Sequence, residues 1–597
     1  MSLRLQLARL EDDGLVLLAT DVPELVYLFR HGLIQDAAYA TLLRGQRRTW
    51  HRAAAEVLES LCRTDAELTT AAPILARHFS LAGDHPRALR YLVMAGDAAF
   101  AHYANEEAAE FYRQALDNVQ AEGQPYQPAL AQHVFSRYGR ALELVSRLDA
   151  ALAHYQQMEA TARRQGDLAL ELAAVMARAT IHSTANMAQD LPQAARLLEQ
   201  ASRLAQSLGD TAVEANINWT LMLSNIMAGG NPEQSARFGQ RALITARASG
   251  QLNLVALVLT DLWFVRVNNS EWDRTRADLL EAGDIARRLN NLTVVAESLL
   301  RISVIDMVIG HYDRALEATF QAIATAEALN SSDLRGLTRL CAAVIYADRG
   351  DYDRAIPFAE EAVRLGEMTN NVTVLIGTRS DLGRMYAFMG DFDHGLALVQ
   401  KAEEDGHRFP LVAAWAGSAA ARLALLRGDL AGASATIARY PDYRDLMRRV
   451  GFAPLMWTNL GLAVTELALL SGDLARALAE SQELNDHITR TGTVVAQPEA
   501  RLLLARVLIG LGRHDQAWAA LAAARAEAEA LTARRLLWPI LAAQADLAAA
   551  AGQAGTASGL RAEAQSIVRY IAGRAPTPAL RASFLARSDA RALMVTG

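Results

Sequence analysis

The side chains able to do chemistry are scattered along this chain. Its 13 histidines include no HExxH motif and no pair four residues apart, so no helix face offers two imidazoles to one metal ion. Cys62 and Cys341 are the two cysteines, with no CxxC pair and no local nucleophile signature around either. A GxSxG elbow and a GxxxxGK[ST] phosphate loop are both missing. The carboxylate pairs Glu360-Glu361 and Glu403-Glu404 fall on expected second helices of repeats and read as solvated faces. One basic group stands out: Arg44, Arg47, Arg48, His51 and Arg52 share a single helical stretch, with His31 and Tyr39 just before it. It reads either as an interface to a neighbouring domain or as a solvated face with internal ion pairs. His31, Tyr39, Arg47, Arg48 and His51 are the candidate relay residues. No catalytic, cofactor-binding or metal-binding residue is assigned, and no cofactor is expected.

A strong internal period would have to position any site. The phrase Gly310-His311-Tyr312-Asp313-Arg314-Ala315 returns as Gly350-Asp351-Tyr352-Asp353-Arg354-Ala355 and as Gly390-Asp391-Phe392-Asp393-His394-Gly395. Weaker copies begin at Gly428, Gly472, Gly512 and Gly552, while Gly230-Asn231-Pro232 and Ser270-Glu271-Trp272 keep the phase upstream. Each glycine is expected to end a helix in a left-handed conformation. The Asp after it, or two later, is expected to cap the next helix. The aromatic fills the corner and the small residue lets two helices approach. Apolar residues such as Leu299, Ile302 and Ile309 keep a helical spacing between phrases. Two helices and two turns fill about forty residues.

This pattern is similar to the tetratricopeptide repeat, best seen in Leu382-Gly383-Arg384-Met385-Tyr386 followed by Gly390. The usual period is thirty-four, so the helices here are expected to be longer, a form that resembles the arms of bacterial signal-transduction ATPases. The resemblance covers roughly residues 70–570, or about twelve helix pairs. It implies an all-α solenoid. Counting back from each turn glycine, the concave wall is expected to present Met227, Phe264, Val304, Met307, Val344, Arg384, Phe388, Trp415 and Arg422. Such a wall is mostly apolar with a few arginines, and would suit an amphipathic helix or an extended peptide with carboxylates. The bland alternative is a superhelix that closes on itself. Arg339 and Arg379, forty residues apart and each followed seven residues on by Tyr346 or Tyr386, read either as a repeated polar ladder with Asp306 or, the favoured reading, as a structural stacking ladder.

The ends differ from the repeats. Gly14–Leu18 and Leu25–Phe29 are apolar runs around the turn Asp21-Val22-Pro23-Glu24, and together suggest a β-hairpin. The stretch Phe29-Arg30-His31-Gly32-Leu33-Ile34-Gln35-Asp36-Ala37-Ala38-Tyr39, with Leu42-Leu43, Arg47-Arg48 and His51, resembles a junction in bacterial proteins that join a class III adenylate or guanylate cyclase, a STAND-type ATPase and a tetratricopeptide arm. There a winged helix leads into the repeats. The ending Leu580–Arg587 also resembles that family's tail. The resemblance implies a winged-helix-like remnant and linking helix over 1–65, the solenoid over 66–572 and a tail over 573–597. Without a phosphate loop or cyclase domain, the family's enzymatic activity is not carried over.

The net charge of −7 with a pI near 6.0 gives no electrostatic reason to expect nucleic acid. No run of eighteen apolar residues suggests a membrane span; even Leu462–Leu470 carries Glu466. The cysteine usage and the lack of an apolar signal-peptide core at the N-terminus fit the cytoplasm. The function expected is a non-catalytic scaffold for a protein or peptide partner, or for a small-molecule effector, acting as the sensor arm of a bacterial signalling system. The rivals are the C-terminal part of a multidomain cyclase or STAND ATPase, and the arm of a transcriptional regulator. The sequence names neither ligand nor partner, and leaves open spiral and closed ring as alternatives.

Overall fold

The computed structural model describes residues 3–20, 26–119, 125–184, 186–209, 211–228, 230–267, 271–369, 371–406, 410–444 and 454–595. The chain divides into two compact units, Met1–Ala173 and Ala174–Gly597. Apart from one hairpin, the described regular structure is helical, as expected of an all-α tetratricopeptide-type solenoid.

In the first unit a helix, Leu3–Asp12, precedes the antiparallel strands β1 (Val16–Thr20) and β2 (Val26–Phe29). Val16 pairs with Phe29 and Leu17 with Leu28, with an irregularity between Leu18 and Thr20. The turn at Asp21–Glu24 lies outside the described residues, as does Ser270. The Gly32–Thr41 and Arg44–Leu61 helices follow, then the first long hairpin, Asp65–Ala82 with His85–Ala101. Thr64 starts that hairpin with a capping box: its hydroxyl accepts from the Glu67 N–H, and Glu67 accepts from the Thr64 N–H.

The second unit shows how the repeated phrase works. Gly310, Gly350, Gly390, Gly428, Gly472, Gly512 and Gly552 all have φ between 71° and 88°. Asp391, Asp429 and Asp473 accept from backbone N–H groups three residues on, closing the first turn of the next helix. Tyr312 and Tyr352 fill the corners, 3% and 1% exposed. The small-residue position brings backbones together: a Cβ on Gly395 would lie 2.6 Å from the Gly383 carbonyl oxygen. At the expected ladder the arginines form ion pairs, while the Tyr346 and Tyr386 rings stack on Phe358 and His394. Arg339 bonds Glu327 at 2.6 Å, and its equivalent Arg379 bonds Glu367 at 2.9 Å and Asp405 at 2.5 Å. Asp306, 1% exposed, faces Arg276 and Arg314 at 3.3 and 3.2 Å.

The superhelix meets itself within this unit. The Trp272 indole N–H donates to the Thr491 carbonyl at 2.8 Å. Tyr570 donates to Asp351 at 2.7 Å, and Arg574 bonds Asp353 at 3.0 Å. Two arginines cap helix C-termini across this seam, where carbonyls lack partners and the helix dipole attracts cations. Arg534 donates to the Arg349 carbonyl at 3.1 Å, and Arg587 to the Phe388 carbonyl at 2.6 Å. Phe388 lies between the rings of Tyr352 and Phe584, with centroids 5.1 and 5.6 Å away. The expected tail therefore holds two short helices, Pro578–Ala586 and Ser588–Val595, whose Phe584 is fully buried in the common core.

Gly390 and Gly428 separate backbone conformation from seam packing. A Cβ at Gly390 would lie 2.5 Å from the Ser583 carbonyl oxygen, whereas one at Gly428 meets nothing within 4 Å. Gly428→Ala should cost about 1–2 kcal/mol, the left-handed penalty alone. Gly390→Ala should cost more, because Ser583 must also move; urea unfolding of the two variants measures the difference.

Candidate ligand site: a charged lumen in the second unit

Helices that follow one another around the superhelix turn one face inward. Val304 on the Leu292–Val308 helix, Val344 on Ser332–Arg349, Arg384 on Val372–Phe388 and Arg422 on Pro410–Leu426 occupy equivalent places. The structure gathers seven of the nine wall candidates around two cavities that share a wall. Val304, Met307, Val344, Arg384 and Trp415 line the first, which holds about 1030 Å³, part of it open to solvent. Val344, Arg384, Phe388 and Arg422 line the second. Met227 and Phe264 line neither cavity. Met227 ends the Thr211–Met227 helix half-buried. Phe264 packs on Trp263 and beneath the Arg301 guanidinium.

Sequence reasoning missed the lumen's polar half. Asp348 and Asp381 enter from the early repeats, and Glu466, Glu499 and Arg535 from the later ones. Arg422 pairs with Glu499 and lies 3.6 Å from Glu466. Arg535 bonds Asp348 at 2.7 Å and Glu499 at 3.4 Å, and Tyr312 donates to the other oxygen of Asp348 at 2.6 Å. The network thus joins residues 187 positions apart. A signal was present in the sequence for Glu466, which interrupts a strongly apolar helix, whereas Glu499 lies in the first turn of a mixed one. Their partners could not be read, because they sit on another turn of the superhelix.

Charge states follow from this packing. Burial opposes ionisation of Glu499, yet Arg422 and Arg535 outweigh it and hold the carboxyl well below the usual range. Burial pushes Asp381 up, and nearby Asp348 adds to this; Arg384 and the Trp415 indole pull the other way. Cys341 also lines the lumen, and burial raises its thiol to about 12, so it is no nucleophile at neutral pH. Further back, burial lifts Asp261 to about 6 against the pull of Arg301, 3.1 Å away. Among the described residues, no group of three or more His, Cys, Asp or Glu could hold a metal ion.

The relay candidates lie in the first unit. Tyr39 shares a hydrogen bond with His51 Nε2 at 2.9 Å, and His51 Nδ1 lies 2.9 Å from Nδ1 of His78. The Arg47 guanidinium covers the Tyr39 ring at 4.5 Å and donates to the Leu42 and Ala40 carbonyls, ending the Gly32–Thr41 helix. Arg48 lies beside Gly83. His31 is the N-cap residue of the Gly32–Thr41 helix, exposed and without a side-chain cap bond. Sequence reasoning did not foresee His78.

With this geometry in place, the family follows from a match of residues 225–537, just over half the chain, to the MalT-like TPR region. The chain belongs to the MalT-like TPR region family. The matched span starts before the lumen helices and ends within the Arg534–Ala550 helix, so this family region carries nearly all the lumen. No curated protein matches the chain. Among solved structures it is similar to the Cut9-Hcn1 hetero-tetramer of APC/C: 14% identity, TM-score 0.47, 92% of this chain and 97% of that one covered. A Rap protein complexed with competence and sporulation factor gives 11% identity and a TM-score of 0.44, with 68% and 98% covered. A STAND protein with a tetratricopeptide repeat sensor from Pyrococcus horikoshii gives 14% and 0.34, with 74% of this chain and 59% of that one covered.

Two predictions come from these groups. Glu499→Ala leaves Arg422 and Arg535 buried around a lost carboxylate and should cost about 3–5 kcal/mol in urea unfolding; Glu499→Gln should cost less. In the first unit, burial lowers the His51 and His78 pKa values, with help from Arg77 at both and from His78 at His51. The folded state therefore resists protonation, and its stability falls as pH drops below about 6.5, where the unfolded imidazoles take up protons. With the intrinsic pH dependence of amide exchange divided out, protection in 32–61 should fall from pH 7.5 to 5.5, and His78→Gln should flatten that fall.

Proposed function

We propose that this chain is a non-catalytic binding scaffold, the sensor arm of a signal-transduction system, with the lumen of its second unit as the ligand site. The carrying observation is the convergence of inner-wall positions from successive repeats on two adjoining cavities with apolar sides and a charged end. Ligand pockets commonly combine an apolar lining with a few placed polar groups. The closed seam favours a compact guest, a small molecule or a short peptide, over a long helix laid along an open groove. In this reading residues 1–65 are a relay module, with His31, Tyr39, Arg47, Arg48 and His51 at its working face. Residues 66–572 are the sensing array, and 573–597 close the superhelix. The free cysteines and the lack of any described helix long and apolar enough to cross a membrane support a cytoplasmic setting. The resemblance of 29–52 to the junction of cyclase and STAND ATPase proteins supports an effector of that kind as the partner.

The lack of chemistry is tested by calorimetry and phosphate release with ATP and GTP plus magnesium: no heat of binding and no turnover are expected, and turnover would overturn the scaffold reading. The site is tested by thermal-shift screening against short peptides and small metabolites. A hit should lose its effect in Val344→Trp, which fills the lumen, and should change hydrogen exchange in 32–61. Hits that ignore Val344→Trp would place the site elsewhere.

A further inference from the structure

The lumen's polar groups are not evenly satisfied. Every carboxylate on its wall has a cation or donor: Asp348 has Arg535 and Tyr312, Glu499 has Arg422 and Arg535, and Glu466 has Arg422. Asp381 has Arg384 and Trp415, and Asp589 has Arg587. The spare capacity lies with the donors. Arg384 lines both cavities, yet its one ion pair among the described residues, with Asp381, is a long 3.3 Å contact. A guanidinium carries five N–H groups, so most of its donors remain available. Arg506 lines the second cavity, is exposed, and makes no ion pair among the described residues. Trp538 lines the same cavity at 3% exposure, and its buried indole N–H has no partner among the described residues.

A cationic guest would have to break one of the existing pairs. An anionic guest would use donors that are free. Arg384 also stands where the two cavities meet, and the first cavity continues from it along apolar side chains. We propose that the lumen takes an amphipathic organic anion. Its carboxylate-like or sulfonate-like head sits between Arg384 and Arg506, and its apolar body lies along Val304, Met307, Val344 and Trp415. This rests on the lumen being the ligand site, and adds the charge and polarity of what it holds. Arginine suits such a head because it donates two parallel hydrogen bonds to paired oxygens.

Two fluorescent probes of nearly equal shape test it on the full chain. 8-Anilinonaphthalene-1-sulfonate carries one anionic head; N-phenyl-1-naphthylamine has the same rings and none. Only the part of the signal lost in Val344→Trp counts as lumen binding. The sulfonate should bind the lumen more tightly than the neutral probe. Arg506→Met, an exposed change that leaves the buried pairs intact, should weaken the sulfonate by about tenfold and leave the neutral probe within about twofold. Arg384→Met should do the same. Equal affinity for both probes, or a sulfonate affinity unmoved in Arg506→Met, overturns the anion proposal and leaves the lumen as the site of a neutral guest. If neither probe shows a signal sensitive to Val344→Trp, the lumen reading fails with it.

Discussion

A helical pair of fixed length that repeats must turn by a similar increment at every step, and in the second unit the increments bring the chain back to itself. Contacts across the seam join residues 185 to 221 positions apart, about four and a half to five and a half repeats of forty. The meeting is made by an apolar core that runs from Met307 to Leu593, and by arginines that reach the open carbonyl ends of helices on the facing turn. Each such arginine meets an orphaned backbone acceptor and the negative end of a helix dipole in one contact. The lumen exists because of this closure. Without it, Asp348 would face water rather than Arg535.

Closure also explains why the interior is charged. Five carboxylates and five arginines line the second cavity, where apolar side chains would pack at lower desolvation cost. Ion pairs are selective in a way that leucines are not. Arg535 reaches Asp348 and Glu499 together only in one register of one turn on the next. In this protein the network thus specifies the stagger of the superhelix as well as the chemistry of its cavity. Its unsaturated donors, Arg384 and Arg506, then stand out against a background of satisfied pairs.

Local structure was largely legible in the amino-acid sequence, because its causes are local. The period of forty, the left-handed glycines, the Asp caps at 391, 429 and 473, and the hairpin before residue 30 all follow from residues within a few positions of one another. The inner face was legible too, as helical spacing from Val304 to Arg422. What could not be read is anything set by the sum of many small rotations. Closure depends on the whole superhelix, so the partners of Asp348, Phe388 and Glu499 stayed hidden although each was in plain view. For the same reason Met227 and Phe264, placed on one wall with the others by counting, fall outside both cavities, and the segment after 573 is packed against the core through Phe584.

The central claim is that the superhelix of the second unit is closed, and a double-mutant cycle between Arg535 and Asp348 tests it most directly. Arg535→Gln, Asp348→Asn and the double variant would each be unfolded in urea. In a closed superhelix the two changes share one interaction, so their effects should fail to add by about 1 kcal/mol or more. Effects that add to within about 0.5 kcal/mol would mean that these residues do not touch. The second unit would then be an open spiral, with no lumen of the kind described.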